Sequence, residues 1–504
     1  MTVSRRDLLL AGGALGLGAA AAGAAAPVVM NNRPRGEAMV VAAQGASVDD
    51  ATHHLVNRIT WGATPEELDY ARNMGYAAYL DEQLNPAHIA DNTEAELYQQ
   101  YPILQLGVQD MARLGEHSEW RAQQAMLANM IYRALFSRRQ LYERMVDFWT
   151  DHFNLLLEEN SRMTVLFHRD TIRPNALGNF RDLLVAVAKS PAMLDYLDND
   201  VNIAESPNEN YARELLELHT LGVDGGYTEQ DVAEVARVFT GWTTYAGAPN
   251  GFFFSRYDHD YGAKTVLGRN LPAERGVEEG LHVLSILANH PSTARYLSRK
   301  LCVRFVSDNP PDALVESTAQ VWIENEGEIR PVLRHILTSD AFTASVGQKF
   351  RRPLEFTIGA ARTTKLRYNR PESLYDMLNA SGQMPYSWPA PNGYPDVSAA
   401  WLNTNGLLYR WNTAMAMTHE AYSSLESPFE ADLVIGDVAT VGEMVDVIST
   451  RVYGAPLNAA QAAAFVEFAS DGAGPDRAVT PDVRARKLAT LYGLMIASPL
   501  YQWR

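Results

Sequence analysis

Hydrophobic positions recur at spacings of three and four residues from residue 48 to the last helix-like segment of the chain. This spacing is typical of amphipathic helices, whereas alternating runs typical of strands are scarce. A cap residue followed by proline, as at Thr64 and Pro65, is a helix start, and Gly222 and Gly241 stand where helical patterns end. The pattern predicts an all-α protein, with one large multi-helix domain over residues 48–504.

Two long stretches lack helical spacing. Residues 245–268 are rich in glycine and aromatic residues, and residues 381–401 are rich in proline and glycine. Loops of this length are uncommon inside a compact domain and are often functional. We therefore expect two long irregular loops within the helical domain.

The N-terminal segment resembles a twin-arginine export signal. Arg5 and Arg6 follow a serine and precede leucines, and a run of alanine and glycine ends in small residues. Because this run is only weakly apolar, a cleaved signal is favoured over a membrane anchor. The prediction is a signal peptide over residues 1–26, a flexible leader over 27–47, and a periplasmic or secreted protein with no stable membrane span after cleavage.

Charge and cysteine content narrow the function. A formal net charge of -17 argues against a nucleic-acid partner, since phosphate contacts require clustered Lys and Arg. The single cysteine, Cys302, excludes an internal disulfide, a thiolate zinc cluster and paired-cysteine haem attachment. It lies among apolar residues and is expected to pack in the core. No nucleotide-binding motif is present. The sequence therefore identifies no cofactor, and a bound divalent metal remains one possibility.

The segment 208–222 combines charges and a histidine on one helix. On an α-helical wheel Arg213, Glu214 and Glu217 share the polar arc, whereas His219 lies opposite them among leucines, so both faces are expected to be covered. The two glutamates can bind a cation or share a raised pKa suited to proton transfer. The alternative is a surface ion pair between Arg213 and Glu217. His219 cannot share a metal with the glutamates of its own helix.

A second segment, 141–157, repeats this arrangement. Asp147 and Asp151 stand four residues apart on a polar stripe, and His152 falls on the apolar side. Such a histidine is either a core residue with satisfied ring nitrogens or a ligand or catalyst. The histidines of the two segments can meet across an interface, or their acidic stripes can, but not both. Asp147, Asp151 and, in a turn, His259 are weak metal candidates; turns favour such residues anyway.

Several blocks carry a resemblance to a bacterial family of exported proteins, the domain of unknown function 1800 family. They include "VDFWTDHFNL", "PNENYARELLELHTLGVDGGYTEQDVAEVARVFTGW" and "GYPDVSAAWLNTNGLLYRWN". The resemblance implies a largely α-helical fold and export, but no established activity. Family members are often encoded beside an exported family similar to alkaline phosphatases, which implies a co-exported protein partner. In the late loop the chain has "SWPAPNGYP" in place of the usual family pattern, a departure that concerns Trp388 and Gly393.

Two functions remain open, and the sequence leaves open whether the protein is an enzyme. The first is acid–base or metal-assisted hydrolysis of a peptidoglycan, polysaccharide or peptide-like substrate. Under this hypothesis Glu214 or Glu217 is the general base or a ligand, and Arg213 positions an anionic group. His152 and His219 are the second candidates. Asp147 and Asp151 support them. The second is a non-catalytic helical binding or assembly protein, in which these residues form buried ion pairs.

Overall fold

Helices make up most of the regular structure in the computed structural model, which describes residues 50–115, 118–158, 160–364, 374–419 and 435–504. The all-α prediction is confirmed. The described residues belong to one compact unit. The predicted signal peptide, residues 1–26, and the predicted leader, residues 27–47, lie outside the described residues.

The helices are short to medium in length and follow one another closely along the chain. The α-helices are Ala51–Ile59, Pro65–Met74, Tyr76–Leu84, Thr93–Gln100, Val108–Arg113, Glu119–Phe136, Gln140–His152, Ser161–Leu166, Arg173–Asn175, Phe180–Ala188, Pro191–Tyr196, Glu209–Glu214, Glu229–Val238, Val277–Ala288, Pro291–Phe305, Asp312–Glu324, Ile329–Leu337, Asp340–Thr343, Pro353–Thr363, Tyr375–Ala380, Ser398–Trp401, Thr404–Thr418, Val441–Tyr453, Ala459–Ser470, Pro481–Ala497 and Pro499–Gln502. Single turns of 3₁₀-helix are Pro86–His88, Pro102–Gln105 and Asn199–Val201, and π-helical turns are Phe167–Ile172 and Leu215–Thr220. No helix in the described ranges is long and apolar enough to cross a bilayer.

Local sequence explains where many helices begin and end. The Thr64 hydroxyl accepts a hydrogen bond from the backbone N–H of Glu67 at 3.3 Å, which caps the helix that Pro65 opens. Gly222 and Gly241 have φ angles of 82° and 76°, values that favour glycine. The helix boundaries predicted at these residues are confirmed.

In the described part of the chain, four short strands form two antiparallel pairs. β1 (Trp242–Thr244) pairs with β2 (Phe252–Phe254), and β3 (Lys264–Val266) pairs with β4 (Arg269–Leu271). The prediction of an irregular loop over residues 245–268 is therefore wrong in part, because the stretch contains β2 and β3. Strands of three residues are too short to establish the alternation by which a strand is recognised.

The segment 208–222 is not one continuous α-helix. After Glu209–Glu214 the backbone widens into a π-turn, in which the N–H of Leu221 donates to the carbonyl of Leu216 at 2.9 Å. The Thr220 hydroxyl likewise donates to the carbonyl of Leu215, five residues earlier, at 2.6 Å. The α-helical wheel therefore does not apply beyond Glu214, where Thr220 and Leu221 are buried. π-turns are frequent at functional sites.

Two apolar clusters form the core, and a layer of charged side chains joins them. The larger cluster includes Trp149, Leu301 and the buried Cys302, whose packing role was predicted. The smaller includes Phe356 and Tyr492 near the C-terminal end. The charged layer lies where the Gln140–His152 and Pro291–Phe305 helices meet the Pro353–Thr363 helix. This junction positions the site described next.

Candidate functional site

A cleft of about 400 Å³ opens between the C-terminal half of the Gln140–His152 helix, the Pro291–Phe305 helix and loop residues 388–396. Its walls include the aromatic side chains of Phe148, Tyr296 and Trp388, together with charged side chains such as Lys300. The loop belongs to residues 381–401, the second stretch predicted to be irregular, and it is irregular apart from the short helix at its end. A concave, largely apolar space with a few polar groups is the usual form of a ligand site.

The central polar group of the cleft is Lys300. Its Nζ atom lies 2.9 Å from Nδ1 of His152. On the other side of the ring, Nε2 of His152 lies 3.1 Å from the carbonyl oxygen of His219 and donates to it. This carbonyl fixes the tautomer, so Nδ1 accepts a hydrogen bond from the lysine amine.

Burial shifts the pKa values of both groups. Burial, with the neighbouring charge of Lys300, holds the pKa of His152 well below its ordinary value, so the ring is neutral. Burial lowers the pKa of Lys300 from 10.5 to about 8, and the carboxylate of Asp151 opposes this shift. The amine therefore changes charge close to neutral pH and faces an open cleft, a combination that marks functional-site candidates.

His219 lies behind His152. The two rings are 6.2 Å apart between centroids. Of the two arrangements that the sequence allowed, the structure brings the histidines together. Burial, followed by the charge of Lys300, lowers the pKa of His219 to about 3. Neither ring nitrogen of His219 has a hydrogen-bond partner among the described residues. His219 is connected to the cleft through its backbone carbonyl, which accepts the hydrogen bond from His152.

The acidic stripe of the Gln140–His152 helix is neutralised by arginines. Asp147 accepts hydrogen bonds from Arg304 at 2.7 Å and from Arg352 at 2.6 Å. Asp151 accepts from the same two arginines, at 3.3 Å from Arg304. A carboxylate that already carries two guanidinium partners has little negative charge left for a cation. These contacts therefore assign Asp147 and Asp151 structural roles rather than metal ligation.

The ion pairs continue through the junction of the two apolar clusters. Glu355 pairs with Arg144 and, at 2.9 Å, with Arg504. Although burial opposes it, these guanidinium groups hold the pKa of Glu355 well below its usual range. Asp396, on the loop that walls the cleft, pairs with Arg304 and, at 3.1 Å, with Lys349. The network therefore fixes the loop to the helices that carry Lys300 and His152.

The glutamates of segment 208–222 lie outside this cleft. The alternative left open by the sequence, an ion pair of Arg213 with Glu217, is not found among the described residues: Arg213 pairs with Glu229 at 2.8 Å and with Glu209 at 3.2 Å. Glu217 accepts a hydrogen bond from Tyr227 at 3.4 Å. Glu214 is half-buried, and burial, followed by the charge of Glu217, raises its pKa to about 7. The raised pKa expected for this pair is present, but neither glutamate lines the cleft.

His259 is engaged by backbone oxygens. Its Nδ1 atom lies 2.8 Å from the carbonyl of Thr240, and its Nε2 atom lies 3.1 Å from the carbonyl of Arg275. Because protein oxygens already lie within hydrogen-bond distance of both ring nitrogens, the contacts favour a structural role for His259 in its turn over metal ligation. Within the described ranges no three His, Cys, Asp or Glu side chains come together as a metal site.

Two parts of the site were not predicted from the sequence. Lys300 and Arg304 are four residues apart and share one face of the Pro291–Phe305 helix. In this helix only Cys302 was considered from the sequence. The second is Gly393, whose φ is 69° and where a Cβ atom would overlap the backbone oxygen of Asp151. Asn154 donates to the carbonyl of Trp388 at 2.8 Å, so the loop contacts the end of the Gln140–His152 helix region directly.

Comparison with known proteins gives one family. The model of the family described as "Protein of unknown function (DUF1800)" matches residues 54–503, which is most of the chain. No curated protein matches, and no solved structure matches. The chain therefore belongs to the family of proteins of unknown function described as DUF1800.

Proposed function

We propose that the protein is an exported enzyme that carries out acid–base hydrolysis, with Lys300 as the proton-transfer group. The observation that carries the proposal is the contact of the Lys300 amine with the neutral ring of His152, 2.9 Å away, inside an open cleft. With a pKa of about 8, the amine takes a proton from an attacking water when neutral and returns it to the leaving group. His152 is a positioning residue, because it acts through the amine.

The surroundings of Lys300 suit this role. The ion pairs of Asp147 with Arg304 and Arg352 hold the two sides of the cleft together, which favours a fixed geometry. Trp388 and Tyr394, with ring centroids 5.1 Å apart, offer flat surfaces to a sugar ring or a peptide. These features support a cell-envelope or extracellular polysaccharide or peptide as the substrate class.

The test is a panel of chromogenic esters, glycosides and peptides, with kcat/KM measured as a function of pH. Turnover that rises through a midpoint near pH 8 is expected, with a loss of about 10²–10⁴-fold in Lys300→Met. Lys189→Met, far from the cleft lining, is the control and retains activity. Turnover that survives in Lys300→Met, or no turnover on any substrate, contradicts the proposal.

Export is the second part of the proposal, supported by Arg5 and Arg6 in their twin-arginine context. Replacing both with lysine keeps the charge but removes the arginine pair that the export pathway recognises. The expected result is protein retained in the cytoplasm, measured by cell fractionation, whereas the unchanged chain reaches the periplasm or medium. Equal distribution of the two chains contradicts the proposal.

A non-catalytic binding or assembly protein is the alternative, favoured by one surface feature. Leu407, Leu408 and Trp411 on the Thr404–Thr418 helix are 41%, 58% and 47% exposed. Neighbouring exposed apolar side chains are typical of protein–protein contacts. If the alternative holds, co-expression with the co-exported partner gives a complex that Leu408→Asp disrupts, while Lys300→Met leaves it intact. Sedimentation velocity distinguishes the two outcomes.

A further inference from the structure

The protein has a second cavity, with a volume of about 50 Å³, that shares no lining residue with the cleft. It is lined by the Ala51–Ile59 helix, Arg351 and the residues around Tyr501 and Arg504. We propose that this cavity binds a small oxoanion: phosphate, sulfate or the carboxylate of an organic ligand. The proposal is independent of the hydrolytic function and does not use Lys300.

Two buried arginines that line the cavity each keep a donor atom without a partner among the described residues. Arg351 donates from Nε to the carbonyl of Tyr501 at 2.9 Å and from Nη2 to the side chain of Asn57 at 2.6 Å, which leaves Nη1 unpaired. Arg504 donates from Nη1 to the carbonyls of Asn57 and Thr60, which leaves Nε unpaired. Both side chains are less than one-twentieth exposed and line the cavity. Unpaired buried donors are rare, since each costs free energy.

The charges around the cavity are unbalanced. The carboxylate of Asp50, which lines the cavity, is paired with Arg72 at 2.7 Å. Four guanidinium groups lie close together: those of Arg351 and Arg504, which line the cavity, and those of Arg58 and Arg144 beside them. In the part of the chain that the structure describes, Glu355 is the one side-chain carboxylate within ion-pair distance of any of them. Among the described residues, Arg58 donates to main-chain oxygen atoms and to no side chain.

The pKa directions agree with this imbalance. Burial lowers the pKa of Arg504 to about 10, and burial also lowers the pKa of Arg351, with Tyr501 opposing. Burying a positive charge without a counter-charge is costly. A bound anion supplies the missing negative charge.

Size and shape restrict the ligand. A single water requires about 10–15 Å³ of such space, so the cavity has room for an anion of a few heavy atoms and not for a sugar. Water could accept the unpaired hydrogen bonds but brings no charge. An oxoanion carries several oxygen atoms, so it can accept one hydrogen bond from Nη1 of Arg351 and another from Nε of Arg504. The chemistry therefore favours an oxoanion.

The experiment is isothermal titration of the whole purified protein with inorganic phosphate, sulfate, acetate and chloride at constant ionic strength. Saturable one-to-one binding of an oxoanion, tighter than chloride, is expected. Tightest binding of acetate assigns the site to a ligand carboxylate, and tightest binding of phosphate or sulfate assigns it to the inorganic ion. Arg351→Gln is expected to bind at least about tenfold more weakly, which corresponds to about 1.4 kcal/mol.

Matched variants complete the test. Arg295→Gln removes an exposed guanidinium paired with Glu316 and is expected to bind as the unchanged protein does. If Arg351→Gln fails to fold, His53→Gln takes its place as the test variant. His53 is half-buried and lines the same cavity, so its loss is expected to weaken binding severalfold. No saturable binding of any oxoanion, or undiminished binding in the folded cavity variants, overturns the proposal.

Discussion

Individual side chains in this protein change their acid–base behaviour because of burial. Lys300 and Glu214 are both held where the charged form is disfavoured, so the pKa of the amine falls to about 8 and that of the carboxyl rises to about 7. Their neighbours differ: a neutral histidine accepts from the amine, whereas a second glutamate repels the carboxylate. Both pKa values lie near neutral pH, so both ionisations can be followed in the folded protein.

At pH 8 about half of the Lys300 amine is neutral, and only the neutral form reacts with an acylating reagent. Acetylation at Lys300 is therefore expected to rise as pH passes through about 8, followed by peptide mass spectrometry. Lys349, buried in ion pairs with Asp308 and Asp396, is the internal control and is expected to remain unlabelled in the folded protein. A labelling midpoint near 10 would contradict the lowered pKa.

Glu214 is expected to make stability depend on pH. Its folded-state pKa of about 7 exceeds the ordinary 4.5, so the folded state holds the extra proton between these values. Its favourable contribution is complete below pH 4.5 and is lost as pH rises through 7. Glu214→Gln is expected to raise the free energy of unfolding at pH 8 by about 1–2 kcal/mol, after discounting for solvent screening, and to change little at pH 4.

Denaturant unfolding at the two pH values measures this difference. Glu209→Gln, an exposed partner of Arg213 on the same helix, is the control and is expected to show no such gain. An equal effect of Glu214→Gln at pH 4 and pH 8 would show that the carboxyl is not held in its neutral form.

At the scale of elements, local sequence explains the helix starts, while long-range contacts explain the irregular elements. The Thr64 cap acts within three residues, so it can be recognised in the sequence. The π-turn at Leu215–Thr220 and the loop beside the cleft are determined by distant packing. Asn154, for example, holds the loop through the carbonyls of Trp388 and Ala390, each 2.8 Å away.

Gly393 is the position at which the loop approaches the Gln140–His152 helix most tightly. Gly393→Ala places a Cβ atom against the backbone of Asp151 and also requires a φ of 69°, so it is expected to destabilise the protein by about 2–4 kcal/mol. Gly382→Ala in the same loop has a φ of 77° but open space around its Cβ, so it is expected to cost only about 1 kcal/mol. Thermal and denaturant unfolding compare the two; equal losses would remove the close approach as the cause.

At the scale of the whole molecule, a buried ionic network holds two apolar clusters together. Asp147 accepts from both Arg304 and Arg352, and its side chain is 7% exposed. Neutralising Asp147 removes part of the counter-charge of two buried guanidinium groups, which keep Asp151 as a shared partner, and breaking a buried ion pair costs more than the pair contributes.

Asp147→Ala is therefore expected to lower the free energy of unfolding by about 3–5 kcal/mol. Asp69→Ala, in which the carboxylate is 74% exposed beside Arg72, is the control and is expected to change stability by less than about 1 kcal/mol. Chemical denaturation measures both. A small loss in Asp147→Ala, accompanied by lost turnover, would return Asp147 to the catalytic or ligand role considered from the sequence.

The sequence by itself determined the helical class, the helix caps, the burial of Cys302 and the family. Each depends on a short-range pattern: the period of apolar residues, a cap three residues from its partner, or a contiguous motif. The sequence also identified His152 and His219 as buried histidines of covered helices, and the structure brings them together.

Only the tertiary structure decided which polar groups share a cleft. Lys300 and His152 are 148 residues apart, and Arg352 reaches Asp147 across 205 residues. Helical periodicity places a residue on a face but carries no information about the distant element that covers that face. The same holds for Arg213, which pairs with Glu229 from the next helix, and for the π-turn that ends segment 208–222. The charge of a buried side chain depends on those distant partners, so its chemistry is determined by packing.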